Sequence, residues 1–101
     1  MKTETMKKLA VVTILRTNGQ DEEHHVGRSI LLNWCQRMIG ADTIDTVNLR
    51  DGRIMLVDDV GLIDGKPINP AATKLYHSVC KPGTTNPIAG DVAIAWDKDF
   101  A

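Results

Sequence analysis

Asn69-Pro70-Ala71-Ala72-Thr73 marks where a helix begins, and the rest of the chain is read outward from it. Asn69 is suited to accept a hydrogen bond from a free N–H of the first turn. Pro70 stands where a missing N–H costs nothing and a fixed φ already suits a helix. Ala72, Leu75, Tyr76 and Val79 then recur on one face, and Lys81-Pro82-Gly83 ends the segment. Upstream, Asp58 to Ile68 is rich in Asp, Gly and Pro and reads as a loop delivering the chain to this cap. Downstream, Thr84 to Pro87 is a connection. The stretch from Ile88, interrupted at Gly90-Asp91, ends in a strand over Val92 to Trp96.

Working back toward the start, Thr43 to Leu49 and Arg53 to Val57 flank Arg50-Asp51-Gly52, and an Asp-Gly turn between two β-prone runs predicts a hairpin. From Ser29 to Ile39 the apolar residues Ile30, Leu31, Trp34, Cys35, Met38 and Ile39 fall at helical spacing. Ser29 is the expected N-cap, and Gly40 the left-handed residue just past the end. Leu9 to Leu15 is apolar, rich in β-branched residues and closed by Thr17-Asn18-Gly19, which predicts a central strand. Gln20 to His25 is charged, offers nothing to bury, and is expected to be an exposed connection.

The order is therefore β-α-β-β-α-β. It predicts an α+β domain, an antiparallel sheet with two helices on one face, ferredoxin-like or a related partly closed barrel, the link through Gly83 and Gly90 serving either a bulge or such a barrel. At 101 residues one domain is expected. Its expected limits are 7–97, after a disordered extension over 1–6 and before a polar tail over 98–101.

The 43% hydrophobic and 25% charged content fits a globular chain. Twelve basic and thirteen acidic residues give a net charge of −1, which supplies no bulk attraction to a nucleic-acid backbone or an anionic membrane. The longest apolar runs are far below the roughly 18 to 20 residues of a membrane span. No secretory leader is expected, because the run after Lys7 and Lys8 is broken at Thr13 and lacks a small-residue cleavage pattern. Cys35 and Cys80 lie on apolar stretches and are too few for a disulfide framework, which points to the cytoplasm.

A set of local cues has a wider resemblance: Ile39-Gly40, Asp51-Gly52, Gly61, Gly65-Lys66-Pro67 before Asn69, Ala72-Thr73, and Ile88-Ala89-Gly90-Asp91-Val92. In these, from Leu31 to Ile94, the chain resembles a family of small uncharacterised proteins associated with phages, plasmids and their bacterial hosts, a domain of unknown function. The shared positions are mainly turn formers and caps. The chain departs from the pattern at the charged segment through His24 and His25 and at the Lys81 to Pro87 loop. The resemblance implies a mobile-element accessory protein, of a kind that binds a host component or a signalling nucleotide.

Chemistry-bearing residues are few. Asp58 and Asp59, with Asp64 nearby, lack the spacing and closing glutamate of a calcium loop. His24 and His25 lack the i, i+4 pairing of zinc hydrolases, and would need His77 or Cys80 brought in by folding. His77 and Cys80 are three apart on a helix but show no third group of a nucleophilic site. Neither a metal nor another cofactor is expected. An anionic ligand would find its first partners in Arg50, Arg53, Thr84, Thr85 and Asn86. Asn69, Pro70, Asp51, Gly52 and Gly90 are structural. The expected function is non-enzymatic: binding a host protein or self-assembling as a homo-oligomer, through a sheet edge or face near Trp96. Sequestration of a small anion such as a signalling nucleotide is the alternative, and a small metal-dependent enzyme the next.

Overall fold

The computed structural model describes residues 9–100, so the extension expected over 1–6 lies outside the described residues. Five strands, β1 (Leu9–Leu15), β2 (Asp21–Gly27), β3 (Ile44–Asn48), β4 (Arg53–Asp58) and β5 (Val92–Trp96), form one sheet in the order β2-β1-β5-β4-β3. Every neighbouring pair is antiparallel. Two helices complete the α+β domain: α1 (Leu31–Ile39) and α2 (Pro70–Val79). None is long and apolar enough to cross a membrane.

The charged segment after β1 is a strand and not a loose connection. Its turn is set by Thr17-Asn18-Gly19: Arg16 N–H donates to the Gln20 carbonyl, Gly19 has φ 89°, and the Asn18 side chain accepts from Gln20 N–H. A three-residue loop with a left-handed last position is a standard hairpin closure. Strand β2 runs the full length of β1, from Leu15 opposite Asp21 to Leu9 opposite Gly27.

The layers also differ from the expected one-faced sheet. Alternation along the strands divides the sheet into two faces. Ala10, Val12 and Ile14 of β1, Ala93 and Ala95 of β5 and Leu56 of β4 cluster with Leu31, Cys35 and Ile39 of α1. Met55 and Val57 of β4 and Val92 and Ile94 of β5 cluster instead with Ala72, Leu75, Tyr76 and Val79 of α2. The helices thus lie on opposite faces, and the sheet is open, with β2 and β3 as its edges. A ferredoxin-like arrangement needs both helices on one face, and a partly closed barrel brings its end strands toward each other, whereas β2 and β3 stand at opposite ends of this five-stranded order. Double coverage explains why β5 is buried through four consecutive residues and β4 through its last four. The alanines of β5 let α1 approach the sheet closely.

Local grammar accounts for most element ends. Gly40 ends α1 at φ 67°, its N–H bonded back to the Arg37 carbonyl. Ser29 does not cap α1, because Arg28–Ile30 forms a 3-10 turn that leads into the helix. In the β3–β4 hairpin Asp51 accepts from Arg53 N–H and Asn48 from Arg50 N–H, while Gly52 has φ 95°. Of the expected tail, residues 98–100 belong to the domain and 101 lies outside the described residues: Asp97–Phe100 forms a 3-10 turn, Phe100 packs against the α1 core, and the buried Asp99 faces Arg28 at 3.5 Å.

Candidate functional site

Asn69 is fully buried and holds three segments together. Its Oδ1 accepts from Ala72 N–H at 3.1 Å, the expected cap, and its Nδ2 donates to the carbonyls of Leu15 and Gly90, each at 3.0 Å. Its own N–H donates to the Ile88 carbonyl, and Gly90 N–H to that of Pro67. The start of α2 is thereby fixed to the end of β1 and to the turn before β5. Gly90, at φ 89°, also brings its backbone against Lys66.

Lys66 connects the long loop to both sides. It pairs with the buried Asp58 carboxylate and donates to the Gly40 carbonyl at 2.7 Å. Asp58 also accepts from Val60 N–H, so this aspartate closes a loop, while Asp59 is exposed. The two do not act as a pair.

A second polar cluster sits where β1 ends. Arg16 donates through Nε and a terminal nitrogen to both Glu22 oxygens at 2.9 and 3.0 Å, and to Asp91 at 3.0 Å. Asp91 also accepts from Thr17 N–H. His24 lies 3.1 Å from Glu22, with its ring 5.1 Å from that of Trp34. The bidentate Arg16 contact, then the His24 contact, lowers the Glu22 pKa from 4.5 to about 2, and the same carboxylates raise that of Arg16. A carboxylate with a depressed pKa stabilises the fold above its ordinary pKa, and that contribution disappears as pH falls toward 2. The difference in melting temperature between wild type and Glu22→Gln is therefore expected to be present at pH 6 to 7. It should close between about pH 4.5 and 2 in an acid series followed by circular dichroism. A gap independent of pH would remove the ion pair from the account.

The remaining candidates do not converge. Successive residues of a strand point to opposite faces, so His24 faces Trp34 and His25 faces away beside Glu23 at 3.7 Å. His77 Nε2 is within 2.8 Å of the Asn86 carbonyl. Cys35 is buried, which pushes its thiol up to about 11, whereas Cys80 is only half-buried. Among the described residues no three His, Cys, Asp or Glu side chains gather as a metal site would require.

Arg50 and Arg53 lie in and beside the β3–β4 turn, where Asp51 grips Arg53 at 2.9 and 2.8 Å. That contact lowers the Asp51 pKa. Asn86 lies at the other end of β4, roughly 16 Å away at strand spacing. There it lines a cleft of about 320 Å³ with Asp45, Asp58, Asp59 and Tyr76. Thr84 donates to the Lys81 carbonyl, and Thr85 is exposed. The five residues form no single pocket, and the cleft that holds Asn86 is acidic.

What the fold leaves open is sheet surface. Helix α2 covers its face over Leu15, Val47, Met55, Val57, Val92 and Ile94. On the same face, Val11 is 40% exposed and Trp96 42% exposed. Val11 lies two residues before Thr13 and Trp96 two after Ile94, the last pair of the β1–β5 register. Trp96 ends the central strand, not an edge, and its ring lies over Gly52, where an added Cβ would stand 3.2 Å from it. Val11 carries no distinguishing signal in the sequence, because it sits in an apolar run. Its exposure depends on where α2 lands.

The chain matches no protein-family model, no curated protein and no solved structure.

Proposed function

We propose that this chain is a small, non-enzymatic, cytoplasmic accessory protein of the phage or mobile-element type, and that it works by binding a host protein or a second copy of itself. The observation that supports the reading is the bare half of the α2-side face, where Val11 and Trp96 stand exposed beside the open edge of β2. An exposed aromatic next to an apolar neighbour is the usual anchor of a protein contact, and an open strand offers unpaired backbone groups to a partner. Polar side chains of the kind that do chemistry are instead engaged in holding the fold: Arg16 with Glu22 and Asp91, Asp58 with Lys66, and Arg53 with Asp51. Val11→Glu and Trp96→Glu are expected to abolish recovery of a specific partner from the host while leaving the circular dichroism spectrum intact. Recovery unchanged by both would overturn the reading.

A further inference from the structure

We propose that β2 is the self-pairing edge of this protein, and that two copies join there as antiparallel strands about a two-fold axis at His24. The inference rests on the binding reading and names the second copy as occupant.

The ladder to β1 decides which backbone groups are free. Because Arg16 N–H bonds to Gln20, the hydrogen-bonded pairs of the hairpin are those of Ile14 with Glu22, Val12 with His24 and Ala10 with Val26. The N–H and C=O groups of Asp21, Glu23, His25 and Gly27 therefore point outward, on a seven-residue strand with no further strand beside it among the described residues. The opposite edge is less open. Strand β3 has five residues, and the Asp45 carboxylate already accepts from its Thr46 N–H.

Charge then selects the partner and the register. A run of acids usually guards an edge against pairing. Here the acids occupy the first half, Asp21-Glu22-Glu23, and the histidines follow at His24 and His25. Pairing about His24 uses the whole strand, sets Glu23 opposite the partner's His25 at both ends of the axis, and sets Asp21 opposite Gly27. A shift that centres the axis on Glu23 shortens the seam and stacks two acids. Glu22 is already neutralised by Arg16, so it can face Val26 of the second copy. On the α1 side, half-buried Trp34 stands against His24, which places one indole on each side of the axis. The seam is narrow, so a weak dimer that depends on concentration is expected.

Sedimentation velocity of the full chain over a concentration series tests this. The expected limit at high concentration is twice the 11.1 kDa of one chain. His25→Pro removes an outward donor that takes no part in the ladder to β1, and should give a folded monomer. His25→Glu should also give a monomer, and Glu23→Lys with His25→Glu should restore the dimer. In a non-hydrogen-bonded antiparallel pair the Cα atoms lie about 4.5 Å apart, within disulfide range. His24→Cys should therefore oxidise to a covalent dimer, with wild type, bearing Cys35 and Cys80, as the control. A monomer at all concentrations, or a dimer that survives both His25 variants, would overturn self-pairing. If that monomer still recovers a host partner that Val11→Glu abolishes, only self-pairing has failed.

Discussion

Asn69→Ala is expected to cost about 2–4 kcal/mol, the sum of a lost N-cap and of carbonyls left without a donor in the interior. The cap accounts for the smaller share. The larger share comes from Leu15 and Gly90, whose carbonyls both accept from the fully buried Asn69 amide, that of Gly90 in the interior and that of Leu15 part-buried. For a domain of this size the melting temperature should fall by roughly 10–25 °C. Asn69→Asp separates the two roles. It keeps an acceptor for Ala72 N–H but sets a negative oxygen against two carbonyl oxygens in the interior, so it should be at least as damaging as alanine at neutral pH. Thermal denaturation of the three proteins checks this. A cost for Asn69→Ala below about 1 kcal/mol would mean that the residue is only a helix cap.

Met55→Ala and Leu56→Ala are each expected to destabilise by about 2–5 kcal/mol, because each removes a buried side chain from a closed core. The two residues are adjacent on β4 and point to opposite faces. Met55 enters the cluster under α2 and is 0% exposed, and Leu56 enters the cluster under α1 and is 1% exposed. A sheet covered on one face would expose one of them and tolerate its replacement. Total stability of a domain is about 5–15 kcal/mol, so the double variant is expected to be unfolded or nearly so. Urea denaturation measures all three. A cost near zero for either single variant would refute the two-core arrangement.

These two experiments bear on what could be read from residues alone. The cap at Asn69-Pro70, the left-handed Gly40 and the Asp51-Gly52 turn are decided within a few residues, and the structure has each where the sequence places it. Strand β2 was hidden because Asp21-Glu22-Glu23-His24-His25 has no β-branched residue, and a polar edge strand presents no alternation of hydrophobicity. Asn18-Gly19 before it was the available signal, a hairpin turn after a clear strand. The two-faced sheet was foreshadowed by the unbroken run Ile54-Met55-Leu56-Val57, since continuous apolarity is what burial on both sides demands. Ser29 satisfies a capping rule, but the 3-10 turn at Arg28–Ile30 moves the start of α1 past it.

The surface was harder to foresee than the core. Arg16 and Glu22 lie on two strands, and Asp91 lies far away in sequence, so their network exists only once β1, β2 and the turn before β5 are adjacent. Exposure of Val11 and Trp96 follows from the place where α2 stops covering its face. Neither property is encoded in a local pattern. Conversely, Arg50, Arg53, Thr84, Thr85 and Asn86 carry the right chemistry for an anion, but the fold sets them at both ends of β4.

The central claim is that the bare sheet surface, and not a reactive cluster, is the working part of this protein. The direct test places a photo-reactive amino acid in turn at Val11, Trp96, Asp59 and Thr85 and irradiates the intact host cell. All four positions are exposed, so reactivity alone does not separate them. The account predicts a discrete protein adduct from positions 11 and 96 and none from 59 and 85. Adducts confined to positions 59 and 85 would contradict it.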